Sequence, residues 1–206
     1  MCIKRTIKEL GRFGMLPLFF TLIVMPYIMY YCKEIYQDEY LVRQIMLVIN
    51  QVIIPVIALC WPFALLAESV SGTGNELLFI KNRNKLVIIL VASFIYFALL
   101  IPYFLYYQKI LNYTSKEVGL QYIKIIIGGL LLISILYFIS FATGSINIAS
   151  AIVILYIILC TFSGSKSEVW NYYNGITKSR YYGFVCIIIF LYGVGYILNR
   201  KYEKYT

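Results

Sequence analysis

The chain has 206 residues, 62% hydrophobic and 13% charged, and a mean hydropathy of +0.81, whereas a soluble domain is about half apolar and about a quarter charged. The composition predicts an integral membrane protein. The net charge of +9 comes from Lys and Arg scattered in ones and twos between apolar runs, without the basic stripe that a phosphate backbone requires, so nucleic acid is excluded as a partner.

In chain order, residues 2–13 place Ile3, Ile7 and Leu10 on one helical face, with Lys4, Arg5, Lys8 and Arg12 turned away. This pattern predicts an interfacial elbow helix. It is not read as a secretory signal, because the following apolar run is long enough to span and no Ala-x-Ala-like site follows it. A first span at about 14–31 carries Pro17 and Pro26. After a charged loop from Lys33 to Arg43, a second span at about 44–67 carries Pro55 and Trp61-Pro62-Phe63 and should be bent. A third span is expected at about 86–107 and a fourth at about 122–142, with a modestly polar loop between them. Thr143-Gly144-Ser145 then leaves room only for a tight hairpin into a fifth span at about 146–162. Residues 163–181 mix a helix-start signal with aromatic residues, which predicts short amphipathic helices on the outer surface. The last span, about 182–198, runs into a basic tail containing Arg200, Lys201 and Lys204.

Each run is about 17 to 24 residues, which matches a hydrocarbon core of about 30 Å. Six spans put both termini on one side. With the termini inside, the inner segments hold ten Lys and Arg and the outer ones eight, and the dense N-terminal cluster favours that orientation.

The sequence offers little chemistry. Histidine is absent, which removes His-dependent metal sites and Ser-His or Cys-His nucleophile pairs. No paired carboxylates replace them, so the chain is not expected to be an enzyme, and no cofactor or metal is implied. Cys2, Cys32, Cys60, Cys160 and Cys186 show no Cys-x-x-Cys spacing; Cys32 and Cys186 both fall near the outer face, which leaves their pairing open. The mid-span polar groups are mild: Thr21, Ser93, Ser134, Ser140, Asn147 and Ser150. Such hydroxyls usually bond back to their own helix. The 21 tyrosines fit either an aromatic-lined path or ordinary interfacial placement. Gly128-Gly129 and Gly193-Val194-Gly195 permit close helix approach.

The polar island between spans two and three is the most informative stretch. Glu68 closes the second span; then follow Gly72, Thr73, Glu76, Leu77, Leu78, Ile80, Lys81, Arg83 and Lys85. This order resembles the Glu…Gly-Thr-x-Glu-Leu-Leu…Arg coupling stretch of permease subunits of ABC-2 type transporters, with one extra residue between Gly-Thr and Glu and no proline before the closing basic residue. The elbow, the tight hairpin and the amphipathic segment before span six extend the resemblance over the chain.

The resemblance implies an all-α membrane protein with six transmembrane helices, an N-terminal elbow helix, a cytoplasmic coupling helix between spans two and three, and short outer helices before span six. It further implies an assembly of two permease chains, identical or sister, with two copies of a P-loop ATPase in a bacterial plasma membrane. In it, Leu77, Leu78 and Ile80 would supply apolar contact, with Glu76, Lys81 and Arg83 fixing register. No Gly-x-x-x-x-Gly-Lys-Ser/Thr loop occurs, so ATP hydrolysis would belong to the partner. An amphipathic substrate is expected, such as a peptide, drug or lipid-like molecule, with self-protection from an antimicrobial peptide as one use. The alternative is the substrate-capturing membrane subunit of an energy-coupling-factor vitamin importer, which the elbow and the charged loop disfavour.

Overall fold

The computed structural model describes residues 14–36, 38–71, 85–162 and 180–205. Among them, 93% are helical and none forms a strand. The helices are α1 (Met15–Ile35), α2 (Glu39–Ala58), α3 (Cys60–Ser71), α4 (Lys85–Leu99), α5 (Ile101–Ile110), α6 (Ser115–Thr143), α7 (Ile146–Phe162) and α8 (Tyr181–Tyr205). α2 with α3, and α4 with α5, each form one long rod interrupted at a single residue, Leu59 and Leu100. Among the described residues, five rods are long and apolar enough to cross a membrane: Met15–Ile35, Tyr40–Ala67, Lys85–Ile110, Ser115–Thr143 and Tyr181–Lys201. The sixth apolar run, α7, has 17 residues, about 26 Å of helix.

Proline explains every interruption. In α1, Pro26 has no N–H to offer the Leu22 carbonyl, and the turn widens to a π-helix over Phe20–Val24, with the Met25 N–H reaching the Phe20 carbonyl. Thr21 Oγ donates to the Pro17 carbonyl at 2.8 Å in the same stretch. At Leu59 the N–H turns to the Val56 carbonyl at 3.1 Å, three residues before Pro62. At Leu100 it is shared between the Tyr96 and Phe97 carbonyls, at 3.2 and 3.1 Å, two residues before Pro102. All five prolines precede residue 103, so α6, α7 and α8 contain none.

α6 is the central post. Leu131, Leu132, Ile133, Ser134, Leu136 and Tyr137 are buried consecutively on either side of Ile135, as expected of a helix enclosed on nearly all sides. α2, α7 and α8 pack around it. Facing outward are Phe19 and Ile23 of α1, Leu155 and Leu159 of α7, and Ile189 and Phe190 of α8, all exposed. That belt fits a multi-pass membrane protein.

Several boundaries differ from the sequence reading. The segment expected as a polar loop up to residue 121 turns helical at Ser115, because Thr114 and Glu117 form a capping box. The Glu117 N–H donates to Thr114 Oγ at 3.3 Å, while the Thr114 N–H donates to Glu117 Oε2 at 3.0 Å. Lys116 therefore sits in α6 rather than in a loop. Arg43 belongs to α2, whose start is set by Asp38 accepting from the Tyr40 N–H at 2.9 Å. The basic tail continues α8 as far as Tyr205. The tight hairpin is observed: Gly144 closes α6 in the left-handed conformation, φ 64° and ψ 16°, which costs glycine nothing. Cys32 and Cys186 are both free thiols, which settles the open pairing against a disulfide. The elbow at 2–13 and nearly all of the outer segment at 163–181 lie outside the described residues.

Candidate functional site

Of the coupling residues, Gly72, Thr73, Glu76, Leu77, Leu78, Ile80, Lys81 and Arg83 all lie outside the described residues. Glu68 is on α3, its side chain also outside. What the structure does fix is the pair of rods that this stretch joins. α3 continues to Ser71, beyond the apolar run that ends at Ala67, and α4 begins at Lys85 and packs against α3. Lys85, read in the sequence as part of the basic docking surface, is instead 6% exposed. It opens the first turn of a packed helix.

The two ends of the bundle are built differently. At one end, the connection 111–114 is short and fastened from the side. Lys33 Nζ donates to the Ile110 carbonyl and Arg43 Nη2 to the Leu111 carbonyl, each at 2.9 Å, so two cations cap the orphan carbonyls at the end of α5. Asn112 makes this turn at φ 51°, a conformation that asparagine tolerates. We call this the capped end. Away from this end, two residues past the break at Leu59, Trp61 Nε1 donates to the Gly14 carbonyl at 3.0 Å, tying α3 to the start of α1.

From the capped end a polar and aromatic column descends between α2, α5 and α6. The Arg43 guanidinium lies 4.8 Å from the Tyr113 ring centre, Tyr113 stacks on Tyr107 at 5.2 Å, and Tyr107 stacks on Tyr103 at 6.3 Å. The Tyr103 hydroxyl donates to Asn50 Oδ1. Arg43 and Asn50 are two helical turns apart on α2, so the column reaches about 10 Å into the bundle. Asn50 Nδ2 and the neighbouring Gln51 Oε1 are buried without a hydrogen-bond partner among the described residues. Sequence reasoning passed over both residues, although an Asn-Gln pair within an apolar run is itself a signal, since unsatisfied amides are costly at that depth.

The other mid-span hydroxyls behave as expected. Ser93, Ser134, Ser140 and Ser150 donate to the carbonyls of Ile89, Leu131, Leu136 and Asn147 on their own helices. The tyrosines divide: Tyr27, Tyr30, Tyr31, Tyr40 and Tyr182 are exposed, while Tyr96, Tyr103, Tyr107 and Tyr137 are among the most deeply buried side chains. Neither sequence account covers the second group, which is core packing. Among the described residues there is no cluster of three or more His, Cys, Asp or Glu placed to hold a metal.

The column supports a direct prediction. Tyr103→Phe should lower stability by about 1–3 kcal/mol, because Asn50 then loses the one partner its carbonyl has. Combining it with Asn50→Leu should recover most of that loss, since two apolar groups replace a matched polar pair. Thermal unfolding in detergent reads both. Additive losses in the double variant would show that Asn50 is stabilised by something other than Tyr103.

These features define an all-helical bundle of the multi-pass membrane class. Comparison with protein-family models, with curated proteins and with solved structures finds no match for the chain.

Proposed function

We propose that this protein is the membrane-spanning permease subunit of an ATP-driven exporter of the ABC-2 type, with six spans and both termini in the cytoplasm. The single observation behind the reading is the sequence Glu68…Gly72-Thr73…Glu76-Leu77-Leu78…Lys81…Arg83, which bridges two long helices of an apolar bundle. The ends of α3 and α4 that this stretch joins lie away from the capped end, the side on which a cytosolic partner would dock. The partner is a P-loop ATPase in two copies, and a second permease chain completes the assembly. A push on residues 72–84 would reach α3 and α4 together, because these helices pack on each other.

The proline breaks support the same reading. α1, α2 with α3, and α4 with α5 are each interrupted along their length, whereas α6, α7 and α8 are continuous. Near two of these breaks, α3 and α4 meet at Trp61 and Tyr96, whose rings contact edge to face at 5.9 Å. Helices that bend there can move their coupling ends while the capped end stays fastened. The cargo is an amphipathic molecule, a peptide, drug or lipid-like compound.

Co-expression of this chain with a P-loop ATPase encoded beside it tests the reading. The two should purify together, two copies of each, and the ATPase should turn over faster in the complex than alone. An ATPase that neither co-purifies nor changes its rate would overturn the assignment.

A further inference from the structure

At the capped end, the last turns of α1 and α5 enclose a cleft of about 600 Å³ lined by Tyr30, Lys33, Glu34, Tyr106, Lys109 and Ile110. We propose that this cleft holds the headgroup of a phospholipid bearing both a phosphodiester and a primary amine. The inference needs only that α1 and α5 cross a bilayer, and does not depend on the transport reading.

Charge selects the headgroup. Lys33 spends one N–H on the Ile110 carbonyl and retains two. Lys109 makes no hydrogen bond or ion pair among the described residues, so its ammonium is available to a phosphate oxygen. Against these two cations stand Glu34 and the partial negative charges of two helix C-termini, which leave the cleft close to neutral with its signs separated. A purely anionic headgroup would gain from the lysines and be repelled by Glu34. A zwitterion carrying an N–H donor matches both: its phosphate meets Lys109 and Lys33, and its ammonium meets Glu34. That carboxylate accepts from the Tyr30 hydroxyl at 3.1 Å and retains acceptor capacity.

The surface beneath the cleft fits acyl chains. Moving from the cleft toward mid-bundle, α1 presents Tyr27 and Ile23, 67% and 57% exposed, and α5 presents Leu105 and Ile101, 62% and 47% exposed. These residues recur three or four apart below Tyr30 and Lys109, so they share those residues' helical faces. A polar head site above two apolar walls has the shape of one lipid, at the depth where tyrosine and lysine normally meet headgroups.

The test uses the full chain in mild detergent, with lipid retention read by native mass spectrometry. Phosphatidylethanolamine, phosphatidylcholine and phosphatidylglycerol of matched chains are supplied in turn. Phosphatidylethanolamine should be retained best. Lys109→Ala should weaken its retention by about tenfold or more, Lys109→Arg should preserve it, and Glu34→Gln should reduce it to the phosphatidylcholine level. Both side chains are exposed, and an unchanged unfolding midpoint verifies that the variants fold. Equal retention in Lys109→Ala would overturn the site. Phosphatidylglycerol binding as well as phosphatidylethanolamine would overturn the amine recognition. Displacement of the lipid by an equal concentration of soluble glycerophosphoethanolamine would overturn the lipid as the occupant.

Discussion

Glu76→Lys and Leu77→Asp should each abolish ATP-dependent transport while leaving the chain inserted and folded. In the proposed assembly, residues 72–84 sit in a recess of the ATPase, where Leu77, Leu78 and Ile80 supply buried contact and Glu76, Lys81 and Arg83 fix register. Leu77→Asp would force a carboxylate into an apolar contact, a penalty of several kcal/mol and therefore a loss of association well beyond tenfold, by an order-of-magnitude estimate. Glu76→Lys would turn an attraction into a like-charge repulsion, which slows docking and misaligns the pair. ATPase stimulation and substrate efflux in proteoliposomes measure the two effects separately. Wild-type values of both in the two variants would remove residues 72–84 from the mechanism. Lys85 is not part of this surface, because it is buried, and its substitution should act on folding instead.

The second large effect is structural. Gly195→Ala should destabilise the bundle by about 1–3 kcal/mol through overpacking. A methyl group there would fall 2.7 and 2.8 Å from two ring atoms of Tyr137 and 3.3 Å from the Phe138 Cα. Tyr137 is fully buried and held between Phe141 at 5.0 Å and Tyr192 at 5.9 Å. A ring held on two sides has little room to swing aside, and the Phe138 backbone would have to give by a few tenths of an ångström. Gly193→Ala, two residues earlier, is the internal control. Its Cβ would meet nothing within 4 Å, so the change should cost nothing and gain about 0.5–1 kcal/mol of helix propensity. Unfolding midpoints of the two variants in the same detergent decide the matter, and a loss at Gly193 equal to that at Gly195 would refute the packing account. Gly129→Ala should resemble Gly195→Ala, because its Cβ would lie 2.7 Å from the Phe97 ring.

Much of the fold was legible because apolar runs of span length leave the backbone no alternative to helix. α7 begins and ends where the apolar pattern predicts, and Gly144 makes the tight hairpin that three residues between two spans demand. α6 starts seven residues before the apolar run that polarity alone marks out, because Thr114 and Glu117 form a capping box ahead of it. α8 likewise extends beyond its apolar run, through Arg200 and Lys201. Polarity reports solvent, and a helix that leaves the apolar layer does not have to stop there.

The candidate sites divide along the same line. The coupling stretch was read wholly from the sequence, because its signal is an order of residue types along the chain. The column from Arg43 to Asn50 was not read at all. Tyr103, Tyr107 and Tyr113 are ordinary singly in a chain with 21 tyrosines, and their local stack joins Arg43 and Asn50 only once α5 and the turn after it are set against α2. The cleft between α1 and α5 likewise joins residues more than seventy positions apart.

By itself, then, the sequence determined that the chain is helical and apolar enough for a bilayer, and that its second span is interrupted near its prolines, because hydropathy and proline act through local backbone hydrogen bonding. Tertiary structure alone decided which glycines are indispensable, which tyrosines are core, and which lysines are buried or free at a rim. Those outcomes depend on the neighbour that each side chain meets across a helix interface, and such neighbours are distant in sequence.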